Sequence, residues 1–476
     1  MPSVTDYQVA LTPKASSDPA SEPVNNDEMR SFGEYCRTRF TTLKPPMTKV
    51  DNPFTVLAQL NRMQWLQFLT FGKTKTQITW GITLVLMLRS VGSIIFGIAS
   101  DCYGRKVPFI VNNLLFMVLE LATGFCQNYT QFLIVRALFG IAMGGLYGNV
   151  AATALEDCPP AARGIVSGMM QQGYAFGYLL AVVHGWRPLF WFGACPPVFI
   201  IIFRLYLPET KVFQERQRVR EASRDMTKTF IAEGKIALKR HWLLLCYMVL
   251  LMAGFNFMSH GSQDLYPTML ENQFEFNSNQ VTVTQVVANL GAICGGTVVG
   301  YYSQVFGRRL SILVMAVVGA ALLYPYCYVS DEKIMIAAFF EQFCVQGAWG
   351  VIPIHLMELS PPSYSAFVVG TAYQLGNLVS SASSTIESSL GEHFPLPDGE
   401  NGVARYQYGK VICIFLGVVY VYVFLLTLIG PEARGKEFDV KHDHDLEEAA
   451  HVNHEDLERI IHGDDMTPTG AKSMKV

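Results

Sequence analysis

The sequence predicts an all-α integral membrane protein made of two duplicated helical bundles. Three observations predict it: a membrane-like composition, eleven apolar runs of spanning length, and a short motif that recurs 203 residues later. Of the 476 residues, 50% are hydrophobic and only 16% are charged, whereas soluble domains carry about 25% charge. Mean hydropathy is +0.26 with two polar tails included. A net charge of −3 gives no footing for a nucleic-acid partner. The ten cysteines are scattered, mostly in apolar runs and without a C-x2-C pair. They read as small core residues, so neither a metal site nor a cofactor is expected.

A helix needs about 20 apolar residues to cross a bilayer. Adequate runs cover roughly 78–100, 107–126, 131–154, 164–183, 189–207, 241–261, 281–302, 310–328, 334–356, 365–386 and 410–430. They group into an N-terminal bundle (63–207) and a C-terminal bundle (241–430), joined by a polar loop (208–240) with nine Lys or Arg. Residues 1–62 are rich in polar residues and Pro and lack the apolar core of a signal peptide. They are expected to form a disordered cytosolic-type tail. Residues 431–476 form an acidic tail.

Loops on the side of the 208–240 segment carry fourteen basic residues and the opposite loops carry four. The basic side is therefore expected to be cytosolic. The sequon Asn128-Tyr-Thr130 falls on the other side, in agreement.

Eleven is odd for a duplicated bundle. Trp242 lies 58 residues before Gly300, but Trp65 lies only 32 before Gly97. The deficit of 26 residues equals about one helix and a turn. The apolar stretch 63–71 is too short to span. Nominally twelve spans are thus expected with the first truncated, through a skipped exon or a faulty gene model near 69–73.

The repeat reads G-x3-D-x2-G-R-K at Gly97, Asp101, Gly104 and Arg105, and G-x3-Q-x2-G-R-R at Gly300, Gln304, Gly307 and Arg308. Small residues at the glycine positions permit close helix approach and a sharp turn. Asp101 is suited to receive an arginine or a helix N-terminus from a neighbour and so to clasp the cytosolic side, while Arg105 and Lys106 are expected to anchor the loop to anionic lipid. The pattern resembles the signature loop of the major facilitator superfamily. Arg136-x3-Gly140-x3-Gly144, Glu156-x6-Arg163-Gly164 and Leu207-Pro208-Glu209-Thr210 resemble further marks of its sugar-porter-like branches. The resemblance implies a two-bundle fold with a solute site between the halves.

The run opened by Trp242 closes on Asn256-Phe-Met-Ser259-His260-Gly-Ser262-Gln263-Asp264-Leu-Tyr-Pro-Thr268. Helical spacing projects Asn256, His260, Gln263 and Asp264 to one side, and His260 and Asp264 can share a hydrogen bond. Ionisable groups at membrane depth are costly and mark function, and imidazole titrates near the pH of a cell exterior. The alternative is a polar helix end wetted by solvent. This segment resembles the N-x2-S-H-x-S-Q-D-x3-T hallmark of the fungal lactate/pyruvate (mono/dicarboxylate):proton symporters, in the sialate:proton symporter branch. That resemblance implies plasma-membrane symport of a carboxylate with protons.

Arg89 sits mid-run, where its guanidinium fork suits a carboxylate. The alternative is a structural ion pair with Glu341. Glu120 and Arg136 lie at similar depth and are expected to pair. Gln374 and Asn377, one turn apart, offer uncharged amides to a carboxylate or hydroxyl, as does Gln171 in the other half. Helix–helix bonding is the alternative for these amides. The resemblance assigns a substrate role to Arg89 and a size-limiting role to Phe176. Asn112, Asn113 and His355 read as structural. His442, His444, His451 and His454 read as part of a solvated tail, whose Lys436, Lys441 and Lys472 are possible ubiquitin acceptors.

The expectation is a proton-coupled carboxylate symporter with protons, substrate and membrane lipid as partners. Its rivals are a sugar-type porter, a non-transporting sensor or inactive splice product, and a membrane acyltransferase using His260 and Asp264.

Overall fold

A computed structural model describes residues 75–181, 193–222, 226–331, 333–397 and 405–436. The expected tails beyond these residues, and the short stretch 63–71, lie outside them. Fifteen α-helices occupy the described residues. In the first half these are α1 (Lys75–Tyr103), α2 (Lys106–Gly124), α3 (Tyr129–Gly144), α4 (Leu146–Leu155), α5 (Arg163–Ala181) and α6 (Cys195–Tyr206). Then come α7 (Lys211–Ala222), α8 (Met226–Gln263), α9 (Tyr266–Asn272), α10 (Ser278–Phe306), α11 (Arg308–Tyr328) and α12 (Ile334–Leu359). The chain ends in α13 (Ser365–Ser380), α14 (Ser383–Gly391) and α15 (Tyr408–Ile429).

Eight helical segments among the described residues are long and apolar enough to cross a membrane. Three of the eleven expected runs are not among them, each for a physical reason. The run 164–183 is helical as α5, but Gln171, Gln172 and its serine and glycines dilute its apolar character. The run 189–207 is described only from 193 onward and yields a helix of 12 residues with proline in its first turn. The run 365–386 breaks after Ser380. There Ser380 and Ser381 donate to the carbonyls of Asn377 and Leu378 at 3.2 and 2.7 Å, and the backbone turns before α14 begins. The joining segment 208–240 is not an open loop either. Its Lys, Arg, Glu and Gln are strong helix formers, and they build α7 and the first turns of α8.

Within the first half, α1 and α3 touch through small residues. A Cβ on Gly140 would lie 2.7 Å from the carbonyl oxygen of Val85, and one on Gly144 2.0 Å from that of Arg89. The spacing of Arg136, Gly140 and Gly144 is thus a packing face as well as a pattern. In the second half, α10 packs on α12, and α11 on α12 and α15. Between the halves, α1 and α4 pack on α13, and α5 packs on α10 and α12. These crossing contacts lie toward the face that carries the two motif loops, termed here the basic-loop face.

Candidate functional site

The two motif loops have the same backbone. Gly104 and Gly307 both sit at positive φ, 100° and 99°, where a side chain would strain the turn. Each turn aims an arginine inward and buries it, so Arg105 does not reach lipid as expected: buried carboxylates take its guanidinium instead. Arg105 donates through Nη2 to Glu156 Oε1 at 2.6 Å and also pairs with Asp101. Arg308 donates to both Glu358 oxygens at 3.1 and 3.2 Å and to Gln304 Oε1 at 2.7 Å. Burial without these partners would cost several kcal/mol per ion, on the order of 3–5.

Both loops also reach across to the opposite half. Asp101 accepts the backbone N–H of Phe367 at 2.8 Å and of Ala366 at 3.3 Å, at the start of α13. Ser365 donates to Glu156 at 2.8 Å. In return, Gln304 donates to the Pro160 carbonyl at 2.6 Å. Gly97 lies against Phe367, where an added Cβ would come within 2.7 Å of its Cα. Gly164 and Gly168 meet Gly296 and Gly300, with an added Cβ on Gly168 only 2.3 Å from the Gly296 carbonyl oxygen. Ser167 completes this seam, donating to the Gly350 carbonyl at 2.7 Å and accepting Ile354 N–H at 3.1 Å. The halves are therefore closed on each other at this face. Glu120 and Arg136 stand apart from that seam, paired at 3.2 Å with the guanidinium 3.9 Å over the Phe139 ring.

Nearer the middle, α1, α8 and α13 meet. Ser90 donates to the Gln374 carbonyl at 3.2 Å, which sets Arg89 beside α13. Arg89 is buried at 3% exposure and acts electrostatically on His260. His260 Nδ1 lies 3.0 Å from Asp264 Oδ2, and its ring also bonds the Asn377 side chain. Asp264 accepts the Ser384 hydroxyl at 2.8 Å. Asn377 donates to Gln374 Oε1 at 3.3 Å. One connected polar group thus holds Arg89, His260, Asp264, Gln374, Asn377 and Ser384, drawn from both halves.

The sequence-predicted residues do not all converge there. Asn256 turns back to the Met252 carbonyl at 2.8 Å and reaches the Tyr373 carbonyl at 3.5 Å, one turn deeper. Gln263 donates to Gln342 on α12 at 2.8 Å and so faces away from α13. Asn256 therefore shares the α13 side of α8 with His260, whereas Gln263 lies on the α12 side, because α8 packs against both helices at once. Phe176 belongs to α5, and its side chain is outside what is described. Gln171 donates to the Tyr147 hydroxyl at 3.4 Å. Glu341, the alternative partner for Arg89, accepts the Tyr420 hydroxyl at 2.5 Å, and its other oxygen has no hydrogen-bond partner.

Two groups of residues escaped the sequence reading. Tyr147 and Tyr373 stack across the halves with centroids 3.9 Å apart, and Trp349 stands edge-on to Tyr373 at 5.9 Å. These rings lie between the polar group and the closed seam. In an apolar run an aromatic carries no signal of such a role. Glu358 and Glu387 were also missed. Glu358 was findable, since it follows Glu156 by 202 residues, one short of the repeat offset.

This is the two-bundle membrane fold of the major facilitator superfamily, in a multi-pass chain. The chain belongs to the family described as sugar (and other) transporter, whose profile matches residues 46–439. That is a family of transporters and not of enzymes. The chain is 40% identical over 388 residues to a carboxylic acid transporter protein homolog of Saccharomyces cerevisiae, an alignment covering 76% of this chain and 63% of that protein. It thus spans less than two thirds of that relative's length. It is 25% identical over 381 residues to a probable 4-methylmuconolactone transporter of Cupriavidus pinatubonensis, covering 77% and 84% of the two chains. Among solved structures, the human organic anion transporter MFSD10 matches with a TM-score of 0.60 at 13% identity, covering 77% of this chain and 88% of that one. The transporter FucP in its outward conformation matches at 0.56 and 12% identity, covering 77% and 94%.

Proposed function

We propose that the chain is a proton-coupled symporter of short-chain organic acids, such as lactate, pyruvate or a small dicarboxylate. The observation that carries this reading is the polar group shared by α1, α8 and α13. A buried arginine stands in the field of a histidine–aspartate pair, with two amides beside it. A guanidinium fork binds a carboxylate with geometric specificity, and the amides hold its second oxygen or a neighbouring hydroxyl without adding charge. The yeast carboxylic acid transporter homolog and the Cupriavidus 4-methylmuconolactone transporter support the same class of solute.

In this mechanism the basic-loop face is cytosolic and closed, so the site is served from the opposite side. Protonation of the His260–Asp264 pair offsets the negative charge that the substrate brings, which favours joint entry of anion and proton. Arg89, Gln374 and Asn377 hold the anion. Entry of both neutralises the group, and the seam built by Asp101, Glu156, Gln304 and Ser167 then opens on the cytosolic side. Asn256, Gln263 and Phe176 are assigned to the walls of the path, and Gly97, Gly300, Arg105 and Arg308 to the moving seam. The proposed location is the plasma membrane, with the C-terminal tail in the cytosol.

The test is uptake of labelled lactate by a host lacking its own carboxylate carriers, driven by an imposed pH gradient. Accumulation that collapses with a protonophore and is competed by pyruvate supports the reading. Competition by glucose instead of pyruvate would assign the site to a sugar.

A further inference from the structure

Glu387 lies on α14, fully buried at 0% exposure, and neither of its carboxyl oxygens has a hydrogen-bond partner. An ionised carboxylate left without donors in such a place carries a prohibitive desolvation cost, whereas the neutral acid does not. Its neighbours are specific. A Cβ on Gly261, the residue after His260, would lie 3.0 Å from Glu387 Oε1. Ser384, one helical turn before Glu387 and on the same face of α14, donates to Asp264 at 2.8 Å. The charges of Glu387 and Asp264 act on each other. Further protonatable groups lie behind it. Cys327 of α11 feels both Glu387 and Glu341 and bonds Cys413 of α15. Glu341 of α12 carries the Tyr420 hydroxyl.

We propose that Glu387 is a further proton-carrying residue of the coupling site, exchanging its proton with Asp264 during each transport cycle. The proposal deepens the symport reading and rests on it. Burial without donors favours keeping the proton on Glu387, while Asp264 accepts Ser384 and faces His260. When the substrate anion occupies Arg89 and cancels its pull on the pair, Asp264 gains proton affinity; the proton leaves one Glu387 oxygen and its bonding electrons stay on that oxygen. A side-chain rotation that brings the Glu387 carboxyl against Ser384 lets the hydroxyl accept that proton while it donates its own to Asp264 Oδ2, so the number of protons is conserved. Two carboxyls in mutual range hold one proton more tightly than two separate ones, which makes them a shared reservoir. The groups that set its behaviour are His260 and Asp264 from α8, Cys413 from α15, Cys327 from α11 and, through His260, Arg89 from α1. Lys410 of α15 sits over the Phe394 ring at 4.3 Å, past the far end of α14.

Glu387→Gln keeps the shape and neutrality of the acid but cannot exchange a proton. Two measurements on the purified full chain test it. The first is infrared difference spectroscopy across a pH step, with no substrate present. The wild type is expected to show a buried carboxylic C=O band at neutral pH that is absent from Glu387→Gln and shifted in Asp264→Asn. Absence of that band from the wild type, or undiminished intensity in Glu387→Gln once the buried Glu341 is removed in a Glu341→Gln background, overturns the proposal whether or not the chain moves lactate. The second compares pH-driven net uptake with exchange in vesicles, using labelled lactate as probe. Glu387→Gln is expected to retain exchange while net uptake falls and its half-maximal pH moves by about one unit. Equal loss of both activities would mark a structural role, and an unchanged pH profile would remove Glu387 from coupling. Lack of any lactate flux in the wild type, with the band present, would count against the symport reading alone.

Discussion

Asp101 ends α1 in the first half, yet it caps the first turn of α13 in the second, accepting the N–H of Phe367 at 2.8 Å. The same carboxylate pairs with Arg105. One side chain therefore ties the motif loop to its own half and to the other. Breaking it should loosen the seam without unfolding either bundle.

Cys158 reports that loosening. It lies in the loop after α4, partly buried, and burial pushes its thiol above the usual range despite the nearby Arg163. Less thiolate at a given pH means slower alkylation. In Asp101→Ala the seam is expected to open more often and Cys158 to react several-fold faster at pH 7, as followed by peptide mapping. An unchanged rate would show that Asp101 does not hold the seam.

Gly168 is among the tightest points of that seam, with room for no Cβ beside the Gly296 carbonyl. Gly168→Val is expected to disfavour the closed seam by about 1–3 kcal/mol. Cysteines introduced at 164 and 300, now nearly in contact, should then cross-link poorly. Efficient cross-linking in the variant would contradict this.

Arg308→Ala strands Glu358 in the core, since both of its oxygens are held by that guanidinium. The expected loss is about 3–5 kcal/mol, seen as a lower unfolding temperature of the detergent-solubilised protein. The double variant Arg308→Met with Glu358→Leu should recover most of it. A single variant as stable as wild type would show that the pair is not a structural element.

His260→Ala removes the imidazole that faces Asp264, Asn377 and Arg89. Under the proposed mechanism, accumulation of labelled lactate against its gradient should disappear, while downhill exchange persists at a reduced rate. Uptake that keeps the wild-type dependence on external pH would exclude His260 from proton coupling.

Tyr147 and Tyr373 stack across the halves just below the polar group. Tyr147→Phe keeps the stack and should preserve transport. Tyr147→Ala forfeits about 0.5–1.5 kcal/mol of ring contact and should raise passive entry of a membrane-impermeant thiol reagent to Cys introduced at 167. Equal labelling in all three proteins would show that the rings block nothing.

The repeated loop was legible because duplication is a sequence property. Identical spacing about Gly104 and Gly307 demands the same turn, but that Arg105 turns inward to Glu156 and not outward to lipid was not legible, because its partner lies 51 residues away. The His260–Asp264 pair was legible for a similar reason, as i and i+4 on one helix meet whatever surrounds them. The pairing of Glu120 with Arg136 followed from equal depth on adjacent helices. Asn256 does share the α13 side with His260, but Gln263 was misjudged, because helical spacing gives a direction and not the neighbour found there. α12 lies on one flank of α8 and α13 on the other, and each takes one of the two amides.

The amino-acid sequence by itself determined most of the spans, the duplication, the repeated turn and the local histidine–aspartate contact, because hydropathy, turn chemistry and helical periodicity act over a few residues. Only the tertiary structure decided which half each motif loop grips, that rings from α4 and α13 stack beneath the polar group, and that Glu387 is sealed beside Asp264. Those contacts join residues from about 120 to more than 260 positions apart. Their geometry is set by how closely two bundles approach, a property of packing between helices rather than of any segment alone.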